Sequence, residues 1–75
     1  MNITGLTKAV AAESQSDRME VDITIRVMLT LMRRQLRAGE EITLRGFGKF
    51  IPLRQKGRVV GVEFVAASVL VPVAR

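Results

Sequence analysis

Up to Gly39 the apolar positions of the chain recur at helical spacing; beyond it they alternate. Ile3, Leu6 and Val10 fall three to four residues apart, with Ala9 and Ala12 filling in. Asn2 or Thr4 can offer a side-chain oxygen to the orphan amides, which predicts a short helix from Ile3 to Glu13. Ser14-Gln15-Ser16 is a polar break. Asp17 with Glu20 three residues on has the spacing of a reciprocal cap. A long helix is predicted from there to about Ala38, with Gly39 as its left-handed C-cap. Acids in its first turns (Asp17, Glu20, Asp22) and arginines in its last (Arg33, Arg34, Arg37) complement the helix dipole.

This helix carries two apolar stripes. Val21, Ile25, Met28, Met32 and Leu36 form one; Ile23, Val27 and Leu31 form the other. One stripe can bury against its own chain, and a second needs another surface. The short helix cannot cover both, so a helix–helix dimer seam is predicted through Ile23, Ile25, Val27, Met28, Leu31 and Met32. The methionines read as packing residues rather than ligands.

After Gly39 the period changes. Ile42 and Leu44 alternate with Thr43 and Arg45, as in a strand. Gly46-Phe47-Gly48 turns the chain, and a second strand runs from Lys49 to about Gln55. Lys56-Gly57 fits a two-residue hairpin turn, because glycine accepts positive φ. A third strand runs from Arg58 to Val65. Ala66, Ala67 and Ser68 interrupt, and Val69 to Val73 reads as a last extended piece. The predicted fold class is α+β: two N-terminal helices followed by a three-stranded antiparallel sheet with a short hairpin arm. Residues 1–75 form one domain in this reading, with 1–39 the helical dimerisation part and 40–75 the sheet and arm.

Composition supports association. The 75 residues are 48% hydrophobic and 25% charged, which suits a folded chain, but so short a chain has little volume for a private core. It has no Cys and no His. Disulfides, thiolate or imidazole zinc sites and Cys or His catalysis are therefore excluded, and oligomerisation remains as the staple. No apolar run approaches the roughly 18 residues of a membrane helix, and polar residues break the N-terminus before it could serve as a signal peptide. A cytoplasmic protein without a membrane partner is expected.

The net charge of +5 is one-sided. Residues 1–41 carry six basic and six acidic residues; residues 42–75 carry six basic residues (Arg45, Lys49, Arg54, Lys56, Arg58, Arg75) against Glu63 alone. A one-sided basic surface points to a polyanion, most commonly nucleic acid, with simple solubility of a dimer as the alternative.

Gly46-Phe47-Gly48 is not a nucleotide loop. The Gly-x4-Gly-Lys-Ser/Thr pattern is absent, and so are the third glycine and following helix of a dinucleotide site. It reads as a strand–strand turn with Phe47 and Phe50 pointing into the core, although paired glycines also expose amides that can hold a phosphate oxygen. Catalysis has no support: Ser14, Ser16 and Ser68 have no evident base, and Glu63 stands alone. No catalytic residue, metal ligand or cofactor is expected. Arg54-Gln55-Lys56-Gly57-Arg58 puts three positive charges on one projecting turn. They suit phosphate contact; the alternative is charge that keeps an exposed sheet edge from aggregating.

These residues together resemble the HU and integration host factor family of bacterial DNA-bending proteins. The opening Met1-Asn2-x-Thr4-x-Leu6, the approach Gly39-Glu40-x-x-x-Leu44, the signature Gly46-Phe47-Gly48-Lys49-Phe50 and the returning Val62-Glu63-Phe64-Val65-Ala66-Ala67-Ser68-Val69 carry the likeness, which spans about residues 1–70 and is most specific in 40–50. The resemblance implies an intertwined dimer that binds duplex DNA in the minor groove with little sequence preference. It makes Gly46, Gly48 and Lys49 phosphate contacts and Arg54, Lys56 and Arg58 the base of the arm, and it keeps Phe47 and Phe50 structural. The chain also departs from the family. The family's arm is longer and ends in a Gly-Arg-Asn-Pro tip whose proline wedges between base pairs. Here the arm shrinks to about Gln55–Arg58 without that proline, and the family's closing C-terminal helix has no counterpart. Pro52 lies too early for the tip and marks a bulge or an edge.

Ile51 and Leu53 fall on the face opposite Phe50, where the family's saddle is polar, unless Pro52 shifts the register. Two expectations follow: an electrostatic grip on duplex DNA with weak or no bending, or an interaction module of the same fold. The second would act on a protein partner through Ile51 and Leu53, or pair with a full-length HU-type subunit.

Overall fold

The computed structural model describes residues 1–71. Its elements are α1 (Ile3–Ser14), α2 (Arg18–Arg37), β1 (Ile42–Leu44), β2 (Gly48–Gln55) and β3 (Arg58–Ala66). The three strands form one antiparallel sheet in the order β1-β2-β3. The predicted α+β class and element order are those observed. The stretch after β3 is not: Ala67–Leu70 is a turn closed by the Leu70 amide donating to the Ala67 carbonyl (2.9 Å), and the rest of the predicted extended piece, Pro72 and Val73, lies outside the described residues.

The caps explain the helix boundaries. Asn2 Oδ1 accepts from the Gly5 amide at 2.9 Å and starts α1. Asp17 Oδ2 accepts from the Glu20 amide at 3.1 Å and starts α2; only this half of the reciprocal cap is made among the described residues. Both helices end in the same double bond. After α1 the Ser16 amide donates to Ala11 O and the Gln15 amide to Ala12 O; after α2 the Glu40 amide donates to Gln35 O and the Gly39 amide to Leu36 O. This closure needs a left-handed residue just past the helix. Gly39 supplies it at φ 87, but after α1 the position is Gln15 at φ 54. A side chain there costs about 1 kcal/mol, so Gln15→Gly is expected to stabilise the chain by roughly 0.5–1 kcal/mol, read as a raised thermal midpoint.

By its internal contacts the chain divides into two compact units, Met1–Leu31 and Met32–Arg75. In the first, the buried residues are Thr7 and Ala11 of α1 and Val21 of α2. Small side chains are thus enclosed while the larger Leu6 and Val10 stay exposed. Leu6 and Val10, with Met1, Ile3, Ile25 and Met28, line an apolar groove of about 360 Å³. On α2, Ile25 and Met32 are half-buried, Met28 is exposed, and the second stripe is open: Ile23, Val27 and Leu31 are 57%, 53% and 45% exposed.

In the second unit the register sorts the sheet into two faces. Ile42 and Phe64 flank Phe50, Leu44 and Ala66 flank Gly48, and Val62 faces Pro52. Phe64 is the centre of this apolar face, its ring 4.9 Å from that of Phe50 and 5.4 Å from that of Phe47. The other face carries Thr43, Lys49, Ile51, Leu53, Glu63 and Val65. Pro52 does not shift the register. It pairs in step with Val62, beyond the reach of β1, where β2 has an open side that needs no proline amide. The irregularity comes one step later. Leu53 pairs Gly61 while Arg54 pairs Val59, so Val60 is the extra residue of a bulge in β3.

Candidate nucleic-acid interface

The β1–β2 turn is closed by the Phe47 amide donating to the Leu44 carbonyl at 2.9 Å. Gly46 occupies its third position at φ 78, a conformation that favours glycine. A Cβ on Gly46 would meet nothing within 4 Å, and its amide donates to no acceptor among the described residues. This amide can therefore take a ligand oxygen. Gly48 is a different kind of glycine. It is buried at φ 154, and a Cβ there would stand 2.5 Å from the Val65 carbonyl and 2.7 Å from the Phe64 ring. Its lack of a side chain serves the sheet. Beside the turn, Arg45, Gly46, Lys49 and Thr43 border a shallow hollow of about 220 Å³ with Val65, Ala66 and Ala67.

At the other end of β2 the chain reverses on Lys56 and Gly57, at φ 55 and 78. Two successive positive φ values make the tight hairpin turn whose twist matches the strands. Lys56 is thus held at the apex, and Arg58 faces Gln55 across the hairpin base. Both basic side chains are exposed.

Arg54 is placed otherwise. Strand alternation puts it on the face of Phe50, and its Nη2 donates to the Ala38 carbonyl at the end of α2 (3.3 Å). Its guanidinium lies where a Cβ of residue 39 would stand, so a side chain there would push the flexible guanidinium aside, while the φ of Gly39 itself favours glycine. A cation at a helix C-terminus contributes about 0.3–1 kcal/mol.

The contact closes a second basic hollow, lined by Arg37, Ala38, Arg54, Gly57, Arg58 and Val59. Arg37 and Arg45 were read from the sequence only as helix-end and surface charge, not as candidate contact residues. Arg45 adjoins the glycine turn, so its position was a usable signal. Arg37 was hidden, because only the α2 cap and the Arg54 contact bring it to the hairpin.

Among the described residues the one ion pair is Arg26–Asp22 at 2.9 Å, an exposed i,i+4 pair of little energetic weight. Arg37, Arg45, Lys49, Arg54, Lys56 and Arg58 therefore have no carboxylate partner there. No group of three acidic residues is placed to hold a metal ion among them either. The surface offers backbone and guanidinium donors to an anion, and it offers no acid–base pair.

Residues 1–64 match the family model described as "Bacterial DNA-binding protein". Among solved structures, a single-substitution mutant of HU from Thermotoga maritima superposes with a TM-score of 0.80 at 27% identity, covering 93% of each chain. A second structure of HU from Thermotoga maritima gives a TM-score of 0.77 at 24% identity, covering 93% of this chain and 92% of that one. No curated protein sequence matches significantly.

Proposed function

We infer the function from one premise: the chain belongs to the HU family of bacterial DNA-binding proteins. It acts as a dimer that grips duplex DNA through its phosphates, with little sequence preference and with weak or no bending, as a nucleoid-associated protein of the cytoplasm. The observation that carries this reading is the run of basic side chains from Arg45 to Arg58 on a turn and a projecting hairpin, none of them paired with a carboxylate among the described residues. Lys49, Lys56 and Arg58 neutralise phosphates, the Gly46 amide fixes position, and Arg54 ties the arm's base to α2. Weak bending follows from the tip: Lys56-Gly57 has no apolar wedge to part a base step.

Dimerisation is supported by surface. The open Ile23–Val27–Leu31 stripe and the Leu6–Val10 groove are surfaces that a second copy would cover. No helix among the described residues is long and apolar enough to cross a membrane.

The test is duplex binding titrated with salt. Each neutralised phosphate steepens the log–log slope by about 0.9, so Lys49→Ala/Lys56→Ala/Arg58→Ala is expected to flatten it by about three per protomer engaged. Wild-type binding that stays flat between about 50 and 200 mM salt would contradict the reading. Kinking of the duplex, measured by energy transfer between its ends, would contradict the unwedged arm.

A second reading rests on Ile51 and Leu53, which share the face of Lys49 with Glu63. An apolar, partly acidic saddle suits a protein partner, whereas a full-length HU-type subunit would pair through the α2 stripes. It expects Leu53→Asp to abolish co-purification of that partner while leaving DNA affinity unchanged.

A further inference from the structure

We propose that the hollow bordered by Arg37, Arg54 and Arg58 is a seat for one phosphate group, and that Arg37, on the last turn of α2, is one of its ligands. The proposal deepens the DNA-binding reading and rests on it. The three guanidiniums line one concavity of about 550 Å³ with Ala38, Gly57 and Val59. Like charges gathered in a hollow repel, and among the described residues no carboxylate relieves them.

The compensation present is the carbonyl end of α2, and Arg54 takes it through Ala38 O at 3.3 Å. That divides the roles. Arg54 is a positioning residue that holds the hairpin base against the helix end. Among the described residues the Arg37 and Arg58 guanidiniums have no hydrogen-bond or carboxylate partner, so their donors are to spare. Both are arginine, whose planar fork matches the oxygens of a phosphate two at a time. At the mouth of the hollow, Gly57 stands at φ 78, and a Cβ there would meet nothing within 4 Å, so an approaching strand finds no wall. The seat joins residues 21 positions apart (37 and 58) and extends the DNA contact from the arm onto the helical end of the same unit.

The phosphate can belong to a duplex backbone or to a free anion, and two arms separate them. In the first, duplex binding is titrated with salt for wild type, for Arg37→Gln/Arg58→Gln and for Lys8→Gln/Arg26→Gln, which removes the same charge from the helices. Losing one seat per protomer should flatten the slope by about two in the dimer and weaken binding tenfold or more at about 0.1 M salt, while the helix control loses less than half of that. In the second arm, sodium pyrophosphate is added while the Nε–Hε resonances of Arg37 and Arg58 are followed.

A wild type that binds steeply beside a double variant with an unchanged slope overturns the seat and leaves the DNA-binding reading standing. A wild type that does not bind duplex overturns that reading; the seat is then supported if pyrophosphate shifts both arginine resonances and overturned if it does not. Arg37→Lys/Arg58→Lys keeps the charge and loses the fork, so partial recovery of affinity guards against a variant that is merely misfolded; thermal melts of all variants check the fold directly.

Discussion

Gly48→Ala is expected to lower the melting temperature by about 12–24 °C, or to prevent folding at growth temperature, while Gly46→Ala two residues away costs only about 4–8 °C. The difference comes from what a new methyl group would meet. At Gly48 it would lie 2.5 Å from the Val65 carbonyl and 2.7–2.8 Å from the Phe64 ring, on a backbone at φ 154 that L-residues avoid. The carbonyl belongs to a paired strand and cannot move without breaking the β2–β3 ladder. Strain plus overpacking puts the cost at about 3 kcal/mol. At Gly46 there is open space, and only the left-handed φ is unfavourable, about 1 kcal/mol. Melting curves followed by circular dichroism decide the matter. Equal losses at the two positions would mean that Gly48 is not held against β3 as described.

Val27→Asp is expected to abolish self-association, and the folded state with it. Ile23, Val27 and Leu31 lie at i, i+4 and i+8 on α2 and are open in the single chain. In the proposed dimer each seam would then enclose a carboxylate in place of a valine, and two such carboxylates would be brought near each other. Lost burial and charge desolvation together cost roughly 4 kcal/mol, about a thousandfold in the dissociation constant. The monomer has no means to absorb this. Its buried apolar residues among those described are Ala11 and Val21, too few to offset the chain entropy of folding. Light scattering should report a species of 8.3 kDa, and the helical signal should fall with it. A variant that stays dimeric and melts like wild type would move the seam elsewhere, with Lys8→Asp as the exposed-charge control.

Much of this fold was legible because local rules set it. The helix ends follow from Asn2, Asp17 and Gly39, whose side chain or freedom at positive φ acts within a few residues. The strands follow from the switch to alternation at Ile42, and the hairpin from Gly57 at a position that demands positive φ. What escaped was decided across the sheet. That Gly46 is open and Gly48 enclosed depends on Val65 and Phe64, 17 and 16 positions beyond Gly48. The bulge falls on Val60 rather than at Pro52, because proline is harmless where β2 has outrun β1, and no local pattern marks an extra valine. Phe64 was not recognised as the ring shared by Phe47 and Phe50, since only the register brings the three together. Likewise Arg54, read from sequence with the basic hairpin, is tethered to the end of α2 by a contact spanning 16 residues.

The length of the hairpin has a consequence for how densely DNA can be covered. β1 last pairs at Phe50, so β2 runs free from Ile51 to Gln55, a reach of roughly 16 Å. The minor groove, where the resemblance puts the contact, is about 6 Å across, so in the proposed complex such an arm would span a single groove and end soon past it. In the proposed dimer two of them would leave the far side of the duplex bare. A dimer built this way occupies a short footprint, lets neighbours sit close along the same tract, and leaves the opposite groove open to other proteins. With its residence time set by a handful of phosphate contacts, such a dimer would exchange quickly, its occupancy following the ionic strength of the cell.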